Sequence, residues 1–251
     1  MSENKEVRRQ FGINAEHYVS SIVHAKGASL QRLADLLDLR PEWKALDVAS
    51  GTGHTAFLLA PFVSQVVATD ITPEMLARAK RVARERSLSN VAFGIADASQ
   101  FPHKDGAFDL VTCRIAAHHF LNPTAFVRES ARVLRSGGKF ALVDNVVPEG
   151  AVGAYINAFE KLRDPSHIRC LTVAEWTTIA SDAGLNLQHL ETISKRLDFS
   201  QWAGRHTPEM QSYLGAMLTE CDDGVAGVLE PKYEQGKLSF GLTEVLFIAS
   251  T

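Results

Sequence analysis

Residues 46–56 read Leu46-Asp47-Val48-Ala49-Ser50-Gly51-Thr52-Gly53-His54-Thr55-Ala56: an apolar strand, a loop of small residues, then the start of a helix. Gly51 and Gly53 permit a tight turn and let the backbone approach a ligand closely. The helix N-terminus beyond them offers unpaired N–H groups and a favourable dipole, which suits a carboxylate or a phosphate. Asp70, at the end of the next apolar run, stands where a carboxylate can accept hydrogen bonds from both ribose hydroxyls. A nucleoside ligand is therefore expected.

Outward from this loop, apolar and β-branched runs alternate with helix-period segments, the pattern of successive βαβ units feeding a parallel sheet. The runs are Ala45 to Ala49, Gln65 to Thr69, Val91 to Ala96, Phe108 to Cys113 and Lys139 to Val143. Thr72-Pro73 and Asn122-Pro123 each read as a helix cap followed by the first helical position. The second of these helices carries Phe126, Val127, Val133 and Leu134 on one stripe, and Gly137-Gly138 is expected to end it. Thr172 with Glu175 forms a capping-box pattern, and Gly184 supplies a stop. Upstream, Leu30, Leu33, Leu36 and Leu37 recur at helical spacing before Pro41. Downstream, Leu187 to Ile193 and Ser239 to Ala249 read as strands, and Trp202 to Leu218 as a helix. One domain over 1–251 is expected: an N-terminal helical cap at 1–43, a core at 44–145, and remaining strands at 146–251. Two irregular insertions, near 146–170 and 199–236, should form a lid.

Composition sets the class of partner. Of 251 residues, 45% are hydrophobic and 22% charged, ordinary globular usage with no warrant for long disorder. Twenty-six basic against twenty-nine acidic residues leave a formal charge of -3, so nothing drives the chain globally toward nucleic acid or an anionic membrane. A small-molecule substrate is the default, and oligomeric state, a homodimer included, stays open. The opening MSENKEVRRQFG is charged and lacks an apolar signal core, which with the absence of any long apolar run points to the cytoplasm. Cys113, Cys170 and Cys221 are too scattered for a disulfide framework or a zinc site, so free thiols and no metal are expected.

Gly51-x-Gly53-x-x-Ala56 with Asp70 also satisfies a dinucleotide fingerprint, so a nicotinamide-dependent oxidoreductase is one alternative. Three features favour another nucleoside. Asp47 precedes the loop, awkward beside a pyrophosphate but useful for orienting a cationic amino-acid ligand. The loop follows a long helical N-terminal section. Asp97 ends the third strand in GIADA, where its carboxylate can accept from an adenine amino group.

Five segments in order resemble the class I S-adenosylmethionine-dependent methyltransferases, particularly the small-molecule branch that includes ubiquinone and menaquinone methyltransferases. They are Phe11 to Tyr18, LDVASGTGH, VVATDITPEML, GIADASQFPHKDGAFDLVTC and RVLRSGGKFALVD. The resemblance implies a Rossmann-like, doubly wound, mainly parallel seven-stranded α/β sheet, with S-adenosylmethionine as methyl donor and S-adenosylhomocysteine as product. It implies that Asp47, Gly51 and Gly53 hold the methionine moiety and Asp70 the ribose. Asp97 and Ala98 would meet the adenine edge, and Ile71 and Met75 its face. Tyr18 and Arg114 complete the set. Ala49 stands where the family often has glycine, a departure of one methyl group. A donor-binding protein of this fold with a structural or non-methylating role is the second alternative.

The transfer site should lie on the loops leaving strands four and five. The first loop reads CRIAAHHFLNP, and a neutral imidazole of His118 or His119 there can act as general base. Adjacent side chains diverge, so one of the two is expected to face the substrate, with His119 favoured as further from the strand. Asp144 and Asn145 leave strand five as polar groups that can contact substrate or donor. Arg163, His167 and Arg169 in the lid can pair with an acidic substrate. Asp109, by contrast, marks the start of strand four, and Trp176, Trp202 and Tyr155 read as lid core. The strings TCRIAAHHF and LRDPSHIR resemble a bacterial subgroup of these enzymes, and no Asn-Pro-Pro-aromatic signature of amino-group methylation is present.

Overall fold

The computed structural model describes residues 5, 7–12 and 28–251, so Tyr18 lies outside the described residues. Residues 7–12 are helical, and helix α1 (Ala28–Leu37) follows, with Leu30, Leu33 and Leu37 buried. The strands β1 (Lys44–Val48), β2 (Gln65–Asp70), β3 (Val91–Ile95), β4 (Phe108–Arg114) and β5 (Leu134–Val146) pair in parallel. Beyond them β8 (Lys237–Ser250) is antiparallel to both β5 and β6 (Asn186–Asp198). The order is β3-β2-β1-β4-β5-β8-β6, with the short β7 (Lys232–Glu234) paired to β8. The expected doubly wound, mainly parallel sheet is thus the fold.

Successive residues of the central strands enter different cores, as a strand covered on both faces requires. Ala45, Leu110, Ala141 and Leu246 pack under α1, α2 (His54–Leu59) and α3 (Pro73–Glu85). Leu46, Val111, Leu142 and Phe247 pack against α4 (Pro123–Val133) and α6 (Val173–Asp182). Trp176 belongs to this second core rather than to a lid. Asp109 is structural as expected, accepting from the Lys44 N–H at 2.7 Å and pairing with Arg135.

Three boundaries differ from expectation. Helix α4 stops at Val133 and Leu134 already pairs with Phe108, so Gly137-Gly138 lies inside β5 beside a register shift rather than ending the helix. Gly137 has φ +72, and a Cβ on Gly138 would sit 2.8 Å from the Arg135 carbonyl oxygen. The two insertions are not irregular. The first contains helix α5 (Gly150–Arg163), and the second α7 (Phe199–Ala203), α8 (Pro208–Thr219) and α9 (Asp223–Leu229). The single helix expected over Trp202 to Leu218 is broken before Thr207, whose side chain caps α8. These helices bury Ile156, Phe159, Trp202, Leu214, Leu218 and Leu229 against Phe240 and Leu242 of β8. β5 stops pairing at Val146↔Thr243, whereas β6 and β8 continue together to Asp198↔Ser239 as an arm, joined at its tip by β7, against which α5 and α7 to α9 pack as a second cap. Among the described residues no helix is long and apolar enough to cross a membrane.

Candidate active site

Strand order reverses between β1 and β4, the point at which open α/β sheets leave a crevice beyond the strand ends. A cavity of about 1000 Å³ occupies it, at the upper end of the range for small-molecule sites. On one side lies the loop after β1. Gly51 has φ +55 and a Cβ there would meet nothing within 4 Å, so the backbone borders open space; Gly53 has φ +92, and a Cβ would strike the Phe57 ring at 2.4 Å. Ala49 also has a positive φ, +50, a conformation glycine adopts without strain. Asp70 accepts from the Gly51 N–H (2.8 Å) and the Thr72 N–H (2.8 Å), tying the two loops together. Asp47 is buried, accepting from the Thr112 hydroxyl (2.8 Å) and the Ala56 N–H (3.1 Å). Burial pushes its carboxyl up to about 7. Ile71, Met75, Asp97, Ala98 and Arg114 line the same part of the cavity, with Asp97 accepting from the N–H and hydroxyl of Ser99.

Opposite them, Ile115 carries a φ of +52, rare for a β-branched residue, and leads into a 3₁₀ turn at Ala117–His119. The turn brings both histidines to the cavity. Their rings lie 4.1 Å apart, so they do not diverge as adjacent side chains on a regular helix or strand would. His118 Nδ1 bonds Asp144 Oδ1 at 2.6 Å, and the His118 backbone N–H donates to Asp144 Oδ2 at 2.7 Å. Asp144 is buried behind the histidine and does not border the cavity, which corrects the expectation that it meets the substrate directly. Burial lowers the His118 pKa, but the Asp144 and Glu160 charges outweigh it and raise the value. His119 Nδ1 instead faces the Ser166 carbonyl at 3.0 Å, and burial together with His118 holds its pKa well below the usual range.

The end of β5, the β6–β8 arm and the second cap form the third wall. Asn145 borders the cavity, but its Oδ1 accepts from Lys195 Nζ (2.8 Å), itself paired with Glu244 (2.7 Å). His167 also lines the cavity, bonded to Asn157 at 2.9 Å, and burial lowers its pKa to about 4. It is neutral near pH 7 and cannot pair with an acid. Arg169 corrects the sequence reading further: it pairs with Glu175 at 2.6 Å, half-exposed and outside the cavity. Arg163 donates to the Trp202 carbonyl. Two groups escaped the sequence reading. Lys195 points inward from β6, and Glu160 is buried on α5, where its place beside Ile156 and Phe159 on the apolar stripe was the available signal.

The parallel sheet, the small-residue loop and the carboxylates at successive strand ends define a class I nucleoside-binding α/β protein. Comparison with known proteins narrows this. A profile of the methyltransferase domain matches residues 46–142. YcgJ of Bacillus subtilis, an uncharacterized methyltransferase, is 37% identical over 196 residues, 78% of this chain and 78% of the relative. Its crystal structure matches with a TM-score of 0.85 at 32% identity, covering 89% of this chain and 97% of that one. The crystal structure of the Bacillus halodurans protein BH2331 matches with a TM-score of 0.85 at 36% identity, covering 89% and 99%. A demethylmenaquinone methyltransferase of Thermus thermophilus is 39% identical over 51% of this chain and 60% of its own length. The chain belongs to the class I S-adenosylmethionine-dependent methyltransferases, and S-adenosylmethionine is its cofactor. The nicotinamide-dependent reading has no support.

Proposed function

We propose that this chain methylates a small molecule, holding the donor on the β1 loop side of the cavity and the acceptor beside His118. The observation that carries the reading is that one cavity joins the Gly51 loop to a buried Asp144–His118 pair. The residues fit the cofactor: the Gly51 backbone borders space that a side chain would fill, and Asp47 is a buried carboxyl suited to a cationic neighbour. Asp47, Gly51 and Gly53 would hold the methionine part, Asp70 the ribose, and Asp97, Ala98, Ile71 and Met75 the adenine. When bound, S-adenosylmethionine supplies an electrophilic methyl group on a sulfonium.

The chain's own task is alignment and removal of the acceptor's proton. The Asp144 carboxylate accepts from His118 Nδ1–H, which fixes the tautomer and leaves the Nε2 lone pair to take that proton. The same carboxylate stabilises the imidazolium that forms. His118 therefore replaces His119 as the favoured base, since His119 has no carboxylate on its ring. With Arg169 turned away and His167 neutral, only Arg163 of the three proposed partners for an acid borders the cavity, and it already faces Asp164 at 3.7 Å and donates to the Trp202 carbonyl, so a neutral acceptor fits better. Residues 146–170 and 199–236 serve as the lid within a single domain. A cytoplasmic location belongs to the same reading, with Cys113, Cys170 and Cys221 all free.

Radiolabelled S-adenosylmethionine incubated with a metabolite extract tests this. Wild type is expected to transfer label to a small molecule, and His118→Ala to do so about 10²-fold more slowly or worse, the usual contribution of a general base. The rate should rise with pH through a pKa above 6.5, because the base works only when neutral. Donor binding without label transfer would favour the non-methylating alternative; equal rates in the variant would remove the base.

A further inference from the structure

We infer that Glu160 is the residue that recognises the acceptor, taking a hydrogen bond from an O–H or N–H on a neutral, largely apolar molecule. This inference rests on the methyl-transfer reading above and names the substrate class of that site. Glu160 lies on α5 at 6% exposure and borders the cavity across from the donor loop. It follows Ile156 by four positions and Phe159 by one, so it occupies a place on the buried stripe that packing alone would give to leucine. Its Oε1 is buried with no hydrogen-bond partner among the described residues.

A buried acceptor without a partner is costly, and such groups persist where a ligand completes them. Other buried charges around it are already matched: Lys195 by Glu244 and Asn145, His118 by Asp144, and Asp164 by the Ser166 N–H and hydroxyl. Glu160 stands apart from these satisfied groups. Burial, with the Asp164 charge, raises its pKa against the opposing pull of Arg163, His118 and Lys195, and in either protonation state the carboxyl keeps an oxygen that can accept. Trp202, Leu242 and Phe120 supply apolar wall around the same space. A molecule with an apolar body and one donor hydrogen satisfies both features, and the hydrogen-bonded group lies within the half of the cavity that His118 borders.

Phenol and anisole form the matched probe pair, since anisole is phenol with its donor hydrogen replaced by methyl. Each is titrated into S-adenosylhomocysteine-saturated protein and followed by NMR shift changes, in wild type and in Glu160→Leu. Phenol is expected to bind wild type at least about tenfold more tightly than anisole, the scale set when a buried polar group is left without its hydrogen-bond partner. In Glu160→Leu the preference should vanish while S-adenosylhomocysteine affinity stays within twofold and Tm is equal to or above wild type. Equal or undetectable binding of the two probes to wild type, or a preference that survives in Glu160→Leu, overturns the inference. Should that variant fail to fold, the inference in its stability arm is overturned, and Glu160→Gln, which exchanges one acceptor oxygen for a donor, must still narrow the preference. Failure of wild type to bind S-adenosylhomocysteine would instead sink the methyl-transfer reading, and is recorded before either probe is added.

Discussion

At Asp47 a carboxyl is held between Thr112 and Ala56 with almost no exposure, and burial moves it from 3.8 to about 7. An ammonium group beside it would favour the ionised form, so donor binding should release a proton near neutrality. S-adenosylhomocysteine affinity is then expected to rise about eightfold between pH 6 and pH 7.5, as the ionised fraction grows from roughly a tenth to roughly three quarters. Affinity independent of pH by calorimetry would contradict this role. For the ligand-free protein the sign reverses. Between pH 4 and 7 the folded state keeps a proton that the unfolded state has lost, so this group makes stability fall as pH rises. The residue types at Asp47, Asp70 and Asp97 were legible because each follows an apolar run. Their backbone surroundings were not. Ala49 reads in sequence as one extra methyl, whereas its φ of +50 carries roughly 1–2 kcal/mol of backbone cost for a non-glycine residue. His118 and Asp144 are 26 positions apart, and only the adjacency of β4 and β5 makes them a pair.

At the level of elements, helix starts proved more legible than helix stops. Caps act locally: Asn122 accepts from the Ala125 N–H, and Thr172 and Glu175 form the full reciprocal box. Thr172→Ala should therefore cost about 1 kcal/mol, visible as a drop in Tm. An unchanged Tm would show that packing of Trp176 and Ala180 alone fixes α6. Gly137-Gly138 misled because a glycine pair signals a turn without saying which element it interrupts, and the tertiary pairing of Leu134 with Phe108 decided it. The cap helices were hidden for a related reason. Their apolar faces meet each other and the β6–β8 arm, so their partners are set by the fold rather than by neighbours in sequence. Arg169, whose charge suggested a ligand, is engaged with the Glu175 that also completes the α6 cap.

Over the whole molecule, the sheet brings two kinds of wall to one cavity. The strand ends of β1 to β3 contribute carboxylates and a glycine loop, while β4, β5 and the cap contribute the His118 pair and Glu160. These halves should be separable: donor affinity belongs to the first and proton removal to the second. Calorimetric titration of S-adenosylhomocysteine into wild type, Asp70→Ala and His118→Ala measures that division directly. Asp70→Ala should weaken binding by about 1.5–3 kcal/mol, roughly 10- to 150-fold, while His118→Ala stays within about twofold of wild type. Unchanged affinity in Asp70→Ala, or loss of binding in His118→Ala with the fold intact, would contradict the division of the cavity.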